Sequence, residues 1–179
     1  MKAQAFSLQP FSGDALALPV SIGGLVALQG GLLRLGYHLS GDLSAQVIPS
    51  PAEAPGRGHG LWQTTCLEFF LAPGDAPGYW EFNLSPAGHW NVYRFTGYRQ
   101  GMIEEPAFTA LPFSVQRTRE ALRMDLQVEL GRIIPPSQPL QMGISAVCQG
   151  KDGGLHYFAL AHPVYKPDFH HRDGFILGL

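Results

Sequence analysis

Two acids and an amide occupy positions whose alternation gives them apolar company. In Cys66-Leu67-Glu68-Phe69-Phe70-Leu71, one parity holds Leu67, Phe69 and Leu71, and the other holds Cys66, Glu68 and Phe70. In Tyr79-Trp80-Glu81-Phe82-Asn83-Leu84, Trp80, Phe82 and Leu84 share one face, with Glu81 and Asn83 on the opposite one. If the stretch between them, Ala-Pro-Gly-Asp-Ala-Pro-Gly, closes a hairpin, Glu68 comes near Glu81 or Asn83. Trp62 precedes Glu68 by six residues, and Trp90 opens a further run after a glycine turn. An indole stacks on the C–H face of a pyranose while carboxylates and amides take its hydroxyls, so this set suits a sugar. Parity leaves a second reading open, in which the acids face solvent and the indoles belong to the core. Glu68 with Glu81 also admits a glycosidase reading, one acid protonating the leaving oxygen while the other attacks or activates water.

Two more clusters carry reactive side-chain types. The run 90–99, WNVYRFTGYR, is the densest aromatic and arginine stretch of the chain. Arg94 or Arg99 could meet a carboxylate or an acidic sugar through a bidentate fork, or the arginines could cap a sheet edge. Near the C-terminus, His162, Asp168, His170, His171 and Asp173 fall within twelve residues, types that bind metals when they converge. Adjacent side chains of an extended segment point opposite ways, so His170 and His171 do not readily share one ion. A surface loop or pocket rim is the alternative.

The elements that must position these groups read as strands. Charged residues make up 15% of the 179 and there are 22 Gly and 15 Pro, a composition short of the charged faces that long surface helices need. Leu122 to Leu130 alternates strictly, with apolar side chains at 122, 124, 126, 128 and 130, which predicts a strand with one wet face. Leu32 to Leu39, Leu67 to Leu71, Tyr79 to Leu84, Trp90 to Phe95, Gln141 to Gln149 and Leu155 to Ala161 fit the same template. Turn-forming residues separate them at 72–78, 85–89, 131–139 and 149–154. Short connections predict antiparallel pairing, and residues 49–60 read as a long surface loop. The one helix candidate lies near 114–122, a helical turn without an apolar stripe or glycine stop. Many short strands at regular spacing predict a two-sheet sandwich.

Twelve Lys and Arg against fourteen Asp and Glu, with no basic run, give no footprint for a phosphate backbone, so nucleic acid is excluded as a partner. The opening 18 residues lack the apolar stretch and small-residue cleavage site of a secretory signal. No segment reaches the roughly 18 apolar residues of a membrane helix. Cys66 and Cys148 read as small buried side chains. Together these features predict a cytoplasmic protein with no membrane partner.

The runs Leu61-Trp62 to Leu67-Glu68-Phe69-Phe70-Leu71 and Tyr79-Trp80-Glu81-Phe82-Asn83-Leu84-Ser85-Pro86-x-Gly88 resemble the DOMON-like superfamily, and within it the family 9 carbohydrate-binding modules. The likeness spans roughly residues 30 to 179, ending in the segment from His162-Pro163 to Gly174-Phe175. It implies one all-β domain over 1–179, a two-sheet antiparallel β-sandwich with immunoglobulin-like layers. It also implies a non-catalytic module for a saccharide or similar polyhydroxylated small molecule. In the sugar-binding members the ligand lies between two Trp rings while a Glu and an Arg take its hydroxyls. Trp62 matches the first Trp and Glu68 the Glu. Asn83 stands at the Arg position, and with no Trp after residue 90, Phe169, His170 or His171 stands in for the second ring. The expected site is therefore Trp62, Glu68, Asn83, Trp90, Arg94, Phe169, His170 and His171. No cofactor is expected. The superfamily also contains b-type haem redox domains with Met and His axial ligands, so haem is the first alternative, here with Met102 and a C-terminal His. Calcium is a further possibility to test, and a scaffold that has lost its pocket is the remaining alternative.

Overall fold

A computed structural model describes residues 3–12, 19–74 and 76–179. The opening stretch read above for a leader signal lies partly outside these, as does Asp75 of the 72–78 turn. The strands are β1 (Gln4–Ser7), β2 (Gln9–Pro10), β3 (Val20–Gln29), β4 (Leu32–Gly41), β5 (Gln46–Val47), β6 (Cys66–Pro73) and β7 (Tyr79–Leu84). The chain continues with β8 (Trp90–Phe95), β9 (Ile103–Glu104), β10 (Phe113–Arg117), β11 (Ala121–Glu129), β12 (Leu140–Gly150), β13 (Leu155–Ala159) and β14 (Leu177–Gly178). One sheet runs β1-β3-β4-β11-β10. The other runs β2-β13-β12-β6-β7-β8-β9, with β5 and β14 on β12. All pairings between these strands are antiparallel, and the all-β sandwich read from the sequence is the fold.

Alternation builds the first sheet. Along β11, Leu122, Met124, Leu126 and Val128 are buried while Arg123, Gln127 and Glu129 are exposed, so one face packs and one stays wet. The β3–β4 hairpin turns on Gly30 and Gly31, with φ of 57° and 87°, values that glycine adopts without steric cost. The helical turn expected near 114–122 is a strand hairpin instead. Phe113 to Arg117 pair with Leu126 to Leu122, and the Thr118 hydroxyl accepts from the backbone N–H groups of Glu120 and Ala121. That closure turns the chain locally in a way a helical turn would mimic.

The second sheet is different, because every residue of β6 from Cys66 to Ala72 is buried. Leu67, Phe69 and Leu71 meet the first sheet in the main core, where the Phe69 and Phe82 rings stack at 4.3 Å. On the other face Phe70, Ala72, Tyr79, Tyr93, Phe95 and Phe175 form a second apolar cluster beneath the loops, with Trp62 and Phe169 packed against it. The Tyr37 hydroxyl of β4 crosses the main core and donates to the Glu68 carbonyl at 2.7 Å, tying β6 to the opposite sheet.

Phe69→Ala should cost roughly 3–5 kcal/mol in urea denaturation, the range for emptying a buried aromatic site. Gln127→Ala, on the wet face of β11, should stay within about 0.5 kcal/mol.

Candidate functional site

The loop-covered face of the second sheet carries a polar row. Ser145, Glu68, Asn83 and Asn91 lie opposite one another across β12, β6, β7 and β8. Glu81 sits one step along, opposite Phe70 and Tyr93, on the same face as Glu68 and diagonal to it. The hairpin expected from 72–78 thus brings Glu68 beside both Asn83 and Glu81, facing one side. Three segments, around 57–64, 98–105 and 161–176, close over this face and leave a cleft of about 710 Å³. Its lining includes Trp62, Gln63, Arg99, Tyr157, Phe169 and His170, with Glu68 and Glu81 at its base.

Burial sets the electrostatics. Glu68 is 2% exposed and its Oε1 has no hydrogen-bond partner; Ser145 Oγ, opposite it, has none either. Removal from water, reinforced by the charge of Glu81, pushes the Glu68 carboxyl well above the usual range. Glu81 is raised to about 7, again chiefly by burial, although the Asn83 amide donates to its Oε1 at 2.8 Å and Arg99 opposes the shift. Burial also holds His170 down at about 4, with Arg99 adding to the effect. Its Nδ1 is 2.8 Å from the Tyr79 hydroxyl and its Nε2 is 3.8 Å from Glu81 Oε2.

Asp168 anchors the lid. It accepts from the Tyr98 hydroxyl, from Arg99 at 2.8 Å and from the His170 backbone N–H at 3.2 Å. Burial would raise its carboxyl, but the Tyr98 and Arg99 hydrogen bonds outweigh this and hold it below the usual value. Arg99 has φ of 53°, a left-handed conformation that costs a non-glycine residue of order 1 kcal/mol. Such strain persists where surrounding contacts over-determine it, as Asp168 and the 3.2 Å bond from Arg99 N to the Tyr79 hydroxyl do here.

Of the expected site residues, Trp62, Glu68, Phe169 and His170 line the cleft together. Asn83 lies beneath it, fully buried, with its amide engaged by Glu81. Three expectations are corrected. Trp90 belongs to the main core, with the Arg57 guanidinium 4.5 Å over its ring. Arg94 shares the parity of Trp90 and Val92, and is exposed away from the cleft. His171 is absent from the lining, and its Nδ1 accepts from the Asp173 N–H at a 3-10 turn. The sequence reading missed Gln63 and Tyr157, which enter the lining from a turn and from β13 with no motif to mark them. The 49–60 loop is also more than a surface excursion. Arg57 reaches inward to Asn91 Oδ1 and the carbonyls of Glu105 and Phe108. Among the described residues no group of three or more His, Cys, Asp or Glu is placed to hold a metal, and no helix is long and apolar enough to cross a membrane.

No family model matches this chain, and no curated protein does. Solved structures do. A candidate carbohydrate-binding protein from Bacteroides uniformis superposes with a TM-score of 0.68 at 15% identity, over 97% of this chain and 84% of its own. A family 9 carbohydrate-binding module from Caldicellulosiruptor kristjanssonii in complex with cellotriose gives 0.52 at 8% identity, over 88% and 72%. The same organism's family 9 module in complex with glucose gives 0.53 at 9%, over 88% and 74%. At these identities the likeness establishes the fold.

The opposed shifts of Glu81 and His170 predict opposite pH signatures. A carboxyl raised from 4.5 to about 7 binds more protons folded than unfolded, so its contribution to stability is lost as pH rises through that window. His170, lowered from 6.5 to about 4, binds fewer, so its contribution is lost as pH falls from 6.5 to 4. In urea titrations, Glu81→Gln should gain on the parent protein as pH rises from 4.5 to 7. His170→Asn should gain as pH falls from 6.5 to 4.

Proposed function

We propose that this chain is a non-catalytic binding module of DOMON-like type whose ligand, a saccharide or similar polyhydroxylated molecule, occupies the cleft lined by Trp62 and Phe169. The observation that carries this reading is a cleft with aromatic walls and a floor of buried carboxyls, one of whose oxygens has no partner in the protein. Aromatic rings take the apolar face of a pyranose, and an unpaired buried acceptor gains most from a ligand hydroxyl. The sugar-bound family 9 structures on the same fold support it. A scaffold without a pocket would have no need to keep an orphaned carboxyl oxygen beneath an open cleft. In a cytoplasmic chain the ligand would be a soluble sugar or a cell-wall precursor.

Haem fits this arrangement poorly. Met102 and His170 both line the cleft, but the His170 nitrogens face Tyr79 and Glu81, and the acid floor opposes an anionic porphyrin. Titration with haemin should therefore give no Soret band characteristic of Met/His ligation.

The saccharide reading is tested by calorimetric titration with glucose and short oligosaccharides. Trp62→Ala should weaken binding about tenfold or more, as the loss of a stacking indole does, while unfolding remains cooperative. Undiminished binding by that variant would reject the site.

A further inference from the structure

Building on the saccharide reading, we propose that the cleft selects a sugar bearing a primary amine, with the ammonium group seated against the carboxyls of Glu68 and Glu81. Arg99 acts on Glu81 through its charge without pairing with it. Among the described residues no lysine or arginine forms an ion pair with either acid. Ser145 of β12 lies opposite Glu68, and Tyr93 of β8 opposite Glu81. β6 itself offers the Cys66 thiol, and β7 offers Asn83, which donates one neutral hydrogen bond to Glu81. β12 and β13 contribute Val147, Leu155 and Tyr157 to the lining, none of them cationic. Arg99 is committed to Asp168, and His170 is neutral near pH 7. Lys166 lines the cleft but is exposed.

Glu68 thus lines the cleft with a buried carboxyl whose Oε1 has no hydrogen-bond partner and whose one neighbouring donor is the weak Cys66 thiol. A sugar hydroxyl brings one hydrogen; an ammonium brings three, together with the charge that two buried carboxyls lack. Rings of Trp62, Tyr157 and Phe169 along the same cleft favour a cation beside the apolar face of the sugar. N-acetylation removes both the charge and two of the hydrogens, so the site discriminates against the acetylated form.

Seating a cation there also changes the protonation of the floor. Glu81, raised to about 7 by burial, is partly protonated near pH 7, so an ammonium seated beside it lowers it and releases part of a proton. The test is calorimetric titration at pH 7 with glucosamine, glucose and N-acetylglucosamine, each in phosphate and in HEPES, which differ in heat of ionisation. Glucosamine should bind about tenfold or more tighter than the other two, the least a charge-assisted hydrogen bond contributes. Its heat should differ between the buffers by the amount expected for proton release, and that of glucose should not. Glu68→Gln, an isosteric change, should abolish the preference for glucosamine over glucose. Equal affinity for glucosamine and glucose, or a buffer-independent heat with glucosamine, would overturn the amine proposal and leave the saccharide reading in place. No binding of any of the three sugars would overturn both.

Discussion

Burial of the second sheet on both faces is the constraint on which the rest of the structure depends. The main core needs Leu67, Phe69 and Leu71 on one side of β6, and the loop-covered cluster needs Phe70 and Ala72 on the other. Any polar side chain on that second face is removed from bulk water. Glu68, Glu81, Asn83 and Asn91 are all there, each less than a tenth exposed. Low dielectric makes a satisfied hydrogen bond stronger and an unsatisfied group costlier than at a surface. The chemistry of the cleft follows from this, including carboxyls raised by desolvation and an imidazole held neutral beside them.

Keeping that face covered requires loops that stay closed, and the three covering segments are fastened by committed polar partners. Arg57 holds one by reaching Asn91 and two carbonyls while its guanidinium lies over Trp90. Asp168 joins the other two by accepting from Tyr98, Arg99 and the His170 backbone. The left-handed Arg99 shows that this junction is stiff enough to retain strain. Walls fixed before a ligand arrives lower the ordering entropy that binding must overcome. The aromatic lining of the cleft is accordingly pre-formed, with Trp62 set edge-on to Tyr93 at 5.9 Å and Tyr157 to Phe169 at the same distance.

Alternation made β11 legible because its two faces meet different solvents, and turn chemistry located β7 and β8 at Tyr79–Leu84 and Trp90–Phe95. β3 was not among the runs read as strands, and Gly23 and Gly24 interrupt its pattern. In the fold the strand needs them, since a Cβ at Gly24 would lie 1.8 Å from the Gly36 carbonyl oxygen. β10 was obscured by helix-favouring residues that serve a turn. For the site, parity paired Glu81 with Asn83, and the expected hairpin brought Glu68 near them, but neither could say that loops cover that face, because that depends on contacts distant in sequence. Trp90 illustrates the same limit. Its composition suited a sugar platform, yet its parity with Val92 commits it to the core, and only the pairing of β7 with β8 decides which face that is.

The polar row is satisfied unevenly along its length. At one end Asn91 is saturated: its amide nitrogen lies within 2.9 Å of Gly58 O, the Tyr93 hydroxyl and Glu104, and its oxygen accepts from Arg57 and the Val92 N–H. In the middle Asn83 donates to Glu81 and receives the Cys66 thiol. At the far end Glu68 Oε1 and Ser145 Oγ have no partner, and among the described residues the other buried side-chain atoms in that condition belong to Gln46. Leaving a buried acceptor unmade costs about 1–3 kcal/mol. The fold satisfies every other member of the row with groups close at hand, so the missing partner at its open end is not explained by a shortage of donors. Glu68, at that end, is the member of the row that lines the cleft.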